Sequence, residues 1–435
     1  MEPGILMRGG RVIDPSRIDG VADVRIAGGL VEEVGSGLGA RAGERVVDVS
    51  GLLVTPGLLD VHVHLREPGL EAKETIATGA LAAAAGGFTT VCAMPNTDPV
   101  TDTPDRVQSI LERGRAAGAA RVLPVAAATV GSRGERLTDV AALALAGAVA
   151  ISDDGLPIAT GELLASALVA AREAGIVVAD HCEDQLLSAG GAVHVDAARR
   201  LGVGGIPPEA ESEAVARDLE VLARVGGRLH VCHVSTAGTV DRLREARAAG
   251  LPVTAEVCPH HLTLTWHEVV SQGARAKMNP PLASHADREA LVAALLDGTI
   301  DCVATDHAPH TAEEKAWGVA AAPFGVTGLE TAFGVLHTDL VRRGRMALPV
   351  LIERLTVGPA RAFGLAGGTL DAGAPGDLAV FDLEAGWEVD PDAFWSRSRN
   401  SPWIGRRLTG RAVLTLVGGR VVHDLLSPHG GILKR

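Results

Sequence analysis

An eightfold alternation restricts what this chain can fold into more than any other feature. Short apolar, β-rich runs at 58–65, 88–94, 121–127, 148–152, 176–181, 228–234, 253–257 and 301–305 are each followed by polar residues. Alanine-rich stretches with helical patterning lie between or after them, at 73–85, 104–117, 161–174, 211–225, 238–249, 286–296 and 328–342. Strands that alternate with helices pair in parallel through right-handed crossovers. Eight such units close into a (β/α)8 barrel of the α/β class, in which functional groups project from the C-terminal strand ends. A doubly wound open sheet is the competing layout. Neither a GxGxxG nor a GxxxxGK[ST] segment follows the first run, which removes the main reason to prefer it.

The two ends are patterned differently. Residues 11–13, 21–26, 31–34 and 45–49 are short alternating runs separated by Gly, Pro and Asp, and the tail resumes the pattern at 378–383, 413–417 and 420–423. Such runs suit small antiparallel sheets. Neither end carries enough apolar residues for a core of its own. One β-sandwich domain built from both termini, 1–54 and 364–435, is therefore expected beside a barrel at 55–363.

Charge and composition narrow the function. The chain has 40 basic and 53 acidic residues, a net charge of −13, no tyrosine and only 3 % aromatic residues. That balance argues against nucleic acid and anionic membrane as partners and leaves few platforms for stacking bases. Residues 1–10 lack a basic-then-apolar leader. The longest apolar stretches, such as 140–151, fall short of the ~20 residues that span a bilayer. Five scattered cysteines in apolar runs read as reduced core thiols of a cytoplasmic protein.

The strongest local signal is Asp60-Val61-His62-Val63-His64-Leu65-Arg66 at the end of the first run. Alternate residues of a strand share a face, so His62, His64 and Arg66 are expected to point into the barrel mouth. Asp153-Asp154 closes the fourth run, His181 the fifth, His233 the sixth, and Asp306 follows the eighth. Imidazoles and carboxylates converging from separate strand ends make a site for zinc or a similar divalent ion. The same alternation turns Cys182 and Cys232 away from the adjoining histidines and leaves His230 packed or solvated. His260-His261 is expected in a supporting or turn role, and His429, among others, as an ordinary polar position.

Longer motifs carry a family resemblance. The segment from Asp60 to Gly69 (DVHVHLREPG) and Ala304-Thr305-Asp306-His307-Ala308-Pro309-His310, followed by Lys315, resemble the two signature motifs of bacterial dihydroorotase, a branch of the metal-dependent amidohydrolases. Met94-Pro95-Asn96-Thr97, Ser152-Asp153-Asp154-Gly155, His233-Val234-Ser235, Met278-Asn279-Pro280-Pro281 and Ala322-Pro323-Phe324-Gly325 extend the likeness from about residue 5 to residue 422. Hydantoinase and dihydropyrimidinase, on the same kind of barrel, bridge their metals with a carboxylated lysine at the fourth strand. The chain has only Lys73, Lys277, Lys315 and Lys434, so the resemblance is to the aspartate-bridged branch of dihydroorotase.

The resemblance implies a set of roles. His62 and His64 bind one Zn2+, Asp154 bridges to a second position, with Asp153 as the alternative, and His181 and His233 hold that second ion, giving one or two zinc ions per subunit. Asp306 binds metal and transfers the proton. His64, Leu65, Arg66, Asn96, Asn279, His310, Phe324 and Gly325 line the substrate, with its carboxylate against Arg66, Asn96 and His310. The implied activity is the reversible cyclisation of N-carbamoyl-L-aspartate to L-dihydroorotate in pyrimidine synthesis, by a homo-oligomer. The physical requirements agree: metal coordination lowers the pKa of water from 15.7 to about 7, an aspartate carries the proton, and a guanidinium matches a carboxylate.

Two alternatives are carried forward. One is another cyclic amidohydrolase, such as an allantoinase. The other is a non-catalytic scaffold for aspartate transcarbamoylase, which the four intact ligand histidines disfavour; that enzyme is also a candidate partner for an active subunit. The stretch 310–325 is long for a strand-to-helix loop and is either a substrate lid or a plain solvated connection.

Overall fold

The computed structural model describes residues 4–15 and 17–427; His429 and Lys434 lie outside them. The strands in chain order are β1 (Ile5–Asp14), β2 (Ile18–Ala27), β3 (Leu30–Gly35), β4 (Arg45–Asp48), β5 (Leu53–Pro56), β6 (Leu58–Val63), β7 (Phe88–Ala93), β8 (Arg121–Ala127), β9 (Ala150–Ser152), β10 (Val177–Asp180), β11 (Val193–His194), β12 (Gly205–Ile206), β13 (Leu229–Val231), β14 (Val253–Val257), β15 (Cys302–Val303), β16 (Leu378–Glu388), β17 (Arg407–Val417) and β18 (Arg420–Asp424).

Strands β6, β7, β8, β9, β10, β13, β14 and β15 form one parallel sheet in that order, and each coincides with one of the eight expected runs. Closure comes from the chain just past β15. Val63 and His307 form a parallel bridge, His307 O accepts from His64 N at 2.8 Å, and the buried Asp60 carboxylate accepts from Thr305 N at 3.1 Å and Thr305 Oγ1 at 2.5 Å. These bonds also explain why β15 ends at Val303 rather than at residue 305: the Thr305 N–H is spent on Asp60 instead of on a neighbouring strand. Burial raises the Asp60 carboxyl to about 7, against the lowering effect of its bonds to Thr305 and His62.

Alternation along the strands builds two cores. Val177 and Ala179 of β10 face the barrel interior beside Val61, Cys92, Val125, Cys232 and Cys302, while Val178 faces outward into the layer filled by Leu164, Leu168 and Leu222 of the surrounding helices. The helix Gly161–Ala174 shows how the sequence sets this outer layer. Its buried Leu164, Ala167, Leu168 and Ala171 lie on one face, Thr160 Oγ1 accepts from Leu163 N at its start, and Gly175 ends it at φ 76°; the i, i+3, i+4, i+7 spacing and both caps are readable in the chain. The expected helix at 73–85 instead begins at Ile76, because Thr75 turns out of the helix to cap it. The stretch 328–342 holds a short helix, Ala332–Leu336, that runs into a π-turn at His337–Val341.

Both termini build one sheet in the order β18-β17-β16-β5-β1-β2-β3, with β4 also on β1. The pairings are antiparallel except that β1 runs parallel to β4 and to β5, so the sheet is mixed rather than wholly antiparallel. Residues 5–8 of β1 pair with β4 and residues 11–12 with β5, either side of the β1–β2 register shift between Met7 and Gly10; one strand thereby serves both halves of the sandwich. Phe381 of β16 stacks on Phe333 with ring centroids 3.9 Å apart, and both belong to the outer barrel core. Burying a phenylalanine stabilises by roughly 1.5–3 kcal/mol, so this seam fixes the sandwich against the barrel.

Candidate metal centre

Six buried side chains converge at the C-terminal end of the barrel. His62 belongs to β6 and His64 follows it, Asp154 lies two residues past β9, His181 follows β10, His233 lies two past β13, and Asp306 three past β15. Asp154 sits at their centre. Its Oδ1 is 3.4 Å from His62 Nε2, 3.6 Å from His181 Nδ1 and 3.4 Å from His233 Nε2, and its Oδ2 is 3.4 Å from His64 Nε2. Asp306 Oδ1 lies 3.0 Å from His64 Nε2 and 3.7 Å from His62 Nε2. Asp153 is elsewhere: its carboxylate accepts from Thr129 N at 2.9 Å and Thr129 Oγ1 at 2.5 Å, holding the loop after β8.

Strained backbone turns two of these groups, and the neighbouring Arg66, inward. Arg66, His233 and Asp306 adopt φ of 60°, 35° and 46°, and only Ser132 joins them among the described non-glycine residues with positive φ. Each such residue costs on the order of 1–3 kcal/mol and persists where the surroundings enforce it. The twist at His233 corrects the parity expected for β13. His230 and Cys232 both face the barrel interior. His230 bonds to Thr254 Oγ1 at 2.8 Å and to Glu256 Oε2 at 3.1 Å, while the Cys232 ligand atom lies within 4.8 Å of those of His62 and Glu256. His233 reaches the same side only through its positive φ. Cys182 does turn outward, with its thiol donating to Asp218 Oδ2 at 3.2 Å.

The donors fit a divalent cation. His62 Nε2 and Asp154 Oδ1 are buried, face each other at 3.4 Å and make no hydrogen bond, a state that costs about 1–3 kcal/mol per group unless something satisfies it. Ligand atoms of His62, His64 and Asp306 lie within 4.8 Å of one another, as do those of His62, Asp154 and His233. Outer partners hold the opposite ring nitrogens. His62 Nδ1 meets Glu256 Oε1 at 2.6 Å, His64 Nδ1 meets Asn96 Oδ1 at 2.8 Å, and His181 Nε2 meets Glu183 Oε2 at 3.2 Å. A proton placed on each of those nitrogens leaves a lone pair aimed at the centre, the arrangement metal-binding histidines need.

The electrostatics agree. Burial alone would push the His62 imidazolium down, but Asp154 and Glu256 raise it well above its ordinary value. His181 likewise reaches about 10 despite burial, through Asp154 and Glu183. Burial would raise Asp306, yet the hydrogen bond from His64 and the nearby histidines bring it to about 2. The carboxylates therefore stay ionised and hold positive charge between them, and a divalent ion meets the same demand.

Beside this cluster lies a cavity of about 280 Å³ lined by His64, Arg66, Asn96, Asn279, His310, Phe324 and Gly325. Leu65, expected with them, is 2 % exposed and packs outward in the helix-facing core, because alternation turns it away from the face of His64. Arg66 Nε donates to Pro309 O at 3.2 Å, and its Nη2 lies 3.3 Å from His310 Nε2. Burial lowers Arg66 to about 10, which leaves it cationic at neutral pH. The stretch 310–325 is not plain coil: it carries the short helices Ala312–Lys315 and Gly318–Ala321. Lys315 Nζ donates to Lys277 O at 3.1 Å and Pro323 O at 2.9 Å, and Lys73 pairs with Glu314 at 2.9 Å. Lys73, Lys277 and Lys315 thus serve this loop, and none of them is among the residues that line the cavity beside the cluster.

A family model described as dihydro-orotase-like matches residues 51–239. A dihydroorotase of Anaeromyxobacter sp. (strain K) is 52 % identical over 428 residues, covering 98 % of this chain and 99 % of the relative. The chain belongs to the dihydroorotase family. A second dihydroorotase, from Geobacillus thermodenitrificans, is 52 % identical over 383 residues and covers 88 % of this chain and 90 % of its own. Among solved structures, an L-hydantoinase (dihydropyrimidinase) from Arthrobacter aurescens superposes with a TM-score of 0.88 at 28 % identity, covering 100 % and 98 % of the two chains. This member of the dihydroorotase family therefore shares its architecture with hydantoinases while its sequence lies far nearer to dihydroorotases, and it is an enzyme of the cyclic amidohydrolase type.

Residue patterns alone missed the outer carboxylates. Glu256 is fully buried on β14, where it accepts from His62, His230 and the His233 backbone N–H. A lone carboxylate inside the apolar run 253–257 was the available signal, since a buried charge demands partners. The pair His260-His261 lies on the helix Pro259–Thr263, outside the His/Asp cluster, with His261 Nε2 donating to Pro280 O at 3.0 Å. No described helix is long and apolar enough to cross a membrane.

Proposed function

We propose that this chain is a zinc-dependent dihydroorotase that reversibly closes N-carbamoyl-L-aspartate to L-dihydroorotate with loss of water, a step of pyrimidine synthesis. The observation that carries the reading is one cavity holding both a donor cluster fitted to a divalent ion and a buried cationic corner at Arg66. A cyclic amide bearing a carboxylate needs both, and the 52 % identity to dihydroorotases points the same way. Allantoin carries no carboxylate for Arg66 to fork, which sets an allantoinase second.

In this reading His62, His64, Asp154, His181, His233 and Asp306 hold one or two zinc ions, which suit a set of imidazoles and carboxylates. Bound zinc supplies an acidified water and a polarised carbonyl. Arg66, with Asn96 and His310, receives the substrate carboxylate, while Asn279 and the Phe324-Gly325 backbone close the ring pocket. Asp306 takes the proton of the attacking water and delivers it to the departing ring nitrogen. Cyclisation runs the same transfers in reverse.

The reading extends to the organisation of the chain. Residues 1–54 with 364–435 form the sandwich domain and 55–363 the catalytic barrel; the membership of the two large sheets supports this division, with β5 carrying the terminal sheet on to Pro56. Five free, buried thiols suit the reducing cytoplasm. Assembly as a homo-oligomer, and aspartate transcarbamoylase as a partner, rest on the family resemblance.

A substrate panel tests the proposal. The purified protein is expected to turn over L-dihydroorotate and N-carbamoyl-L-aspartate far faster than allantoin or hydantoin; the opposite ranking would overturn the substrate. Arg66→Lys keeps the charge and loses the planar fork. It is expected to raise KM for dihydroorotate at least about 10-fold and to alter kcat less, as loss of uniform binding requires. An unchanged KM would remove Arg66 from the carboxylate corner.

A further inference from the structure

Asn400 lies on the segment that joins β16 to β17, remote in sequence from every barrel strand, yet it is 5 % exposed and packed over the barrel mouth. Its Oδ1 accepts from the His310 N–H at 3.1 Å, and its Nδ2 donates to Ala308 O at 3.1 Å and Gly325 O at 3.0 Å. Its own carbonyl accepts from Thr327 N at 3.0 Å. The surroundings offer one N–H and two carbonyls, so only an amide satisfies them, and only in this orientation. Aspartate would set a carboxylate oxygen against two carbonyl oxygens, and an apolar side chain would orphan all three backbone groups.

The walls joined in this way carry the corner that meets the substrate carboxylate. One presents His310, whose Nε2 lies 2.7 Å from Phe324 O, and Pro309, whose carbonyl receives Arg66 Nε at 3.2 Å. The other presents Phe324 and Gly325. At Gly325, with φ of +131°, a Cβ would come within 2.7 Å of Ala308 O, so the two walls touch there and need the glycine. The segment around Asn400 is itself anchored: Ser398 Oγ donates to Lys73 O at 2.7 Å, and Arg397 N donates to Glu74 Oε1 at 3.2 Å.

We infer that Asn400 is a positioning and specificity-determining residue for the substrate carboxylate, acting by holding the backbones of His310 and Gly325 at the distance that Arg66 and His310 require. The inference rests on the dihydroorotase reading and adds a residue from the terminal sheet unit to the site. It touches neither the metal ligands nor Asp306, so its effect falls on binding rather than on the chemical step.

The test is steady-state kinetics with L-dihydroorotate on the full-length, metal-loaded protein, with metal content measured in parallel. Asn400→Ala is expected to raise KM about 10- to 100-fold, the scale of a misplacement near 1 Å, with kcat within about 5-fold and bound metal unchanged. Asn400→Asp is expected to do at least as much. In an Arg66→Ala background the same change adds less than about 3-fold, because residues acting through one corner are not additive. Asn400→Ser serves if the alanine variant does not fold. A KM unchanged by substitution, full additivity with Arg66→Ala, or a loss of kcat that follows loss of metal would each overturn the inference. A wild-type protein inactive on dihydroorotate would instead overturn the functional reading beneath it.

Discussion

Asp306→Asn is expected to lower kcat for dihydroorotate by about 10³-fold, within the range that one positioned acid–base group supplies. The substitution preserves size and one oxygen beside His64, and removes the negative charge together with the capacity to take a proton. The native carboxylate is held at about 2 and 3.0 Å from His64 Nε2, so it is ionised at neutral pH and positioned beside the cluster. Because Asp306 is also a proposed ligand, the rate is to be taken per bound metal, with KM following separately. A variant that keeps more than a tenth of kcat at full metal content would show that another group moves the proton.

Glu256→Gln is expected to weaken metal binding about 10- to 100-fold, the usual effect of removing an outer partner of a ligand histidine. The Glu256 carboxylate is fully buried and held below its ordinary range: burial opposes this, but His62 and His230 overcome it. It thereby fixes the His62 ring with Nδ1 outward at 2.6 Å. Glutamine keeps the volume but turns one oxygen into a donor, so either His62 or His230 loses its acceptor. Removing one partner of a buried charged network also destabilises by about 3–5 kcal/mol, which thermal melting of the metal-free protein reads directly. Activity is expected to return with excess metal. Unchanged metal affinity together with an unchanged melting temperature would contradict the role given to Glu256.

Local rules sufficed wherever one strand or helix decided the outcome. The eight runs became eight strands because apolar β-rich segments between capped helices have no better partner than a neighbouring strand. Alternation puts His62 on the side of His64, and His181 on the side of Val177 and Ala179, while the register shift between Asp60 and Val63 lets Val61 face inward as well. Alternation failed where the backbone leaves the strand. The positive φ of His233 brings it to the side that Cys232 already occupies, and the period of two carries no warning of that twist. Asp154 and Asp153 are equivalent as neighbours in sequence; the capture of Asp153 by Thr129 separates them, and that contact lies across two strands. Leu65 shows the converse, since alternation applied to the face of His64 already turns it into the core. Asn400 and Glu256 act through residues 90 and 194 positions away, which one-dimensional patterns do not encode.

The most direct measurement of the central claim is a metal titration of protein stripped by chelator, following zinc bound per chain and dihydroorotate turnover in the same samples. No turnover is expected in the stripped protein, with turnover rising in step with bound zinc to a plateau at one or two ions per chain. Full turnover without metal, or a filled site with no turnover of dihydroorotate, would contradict it.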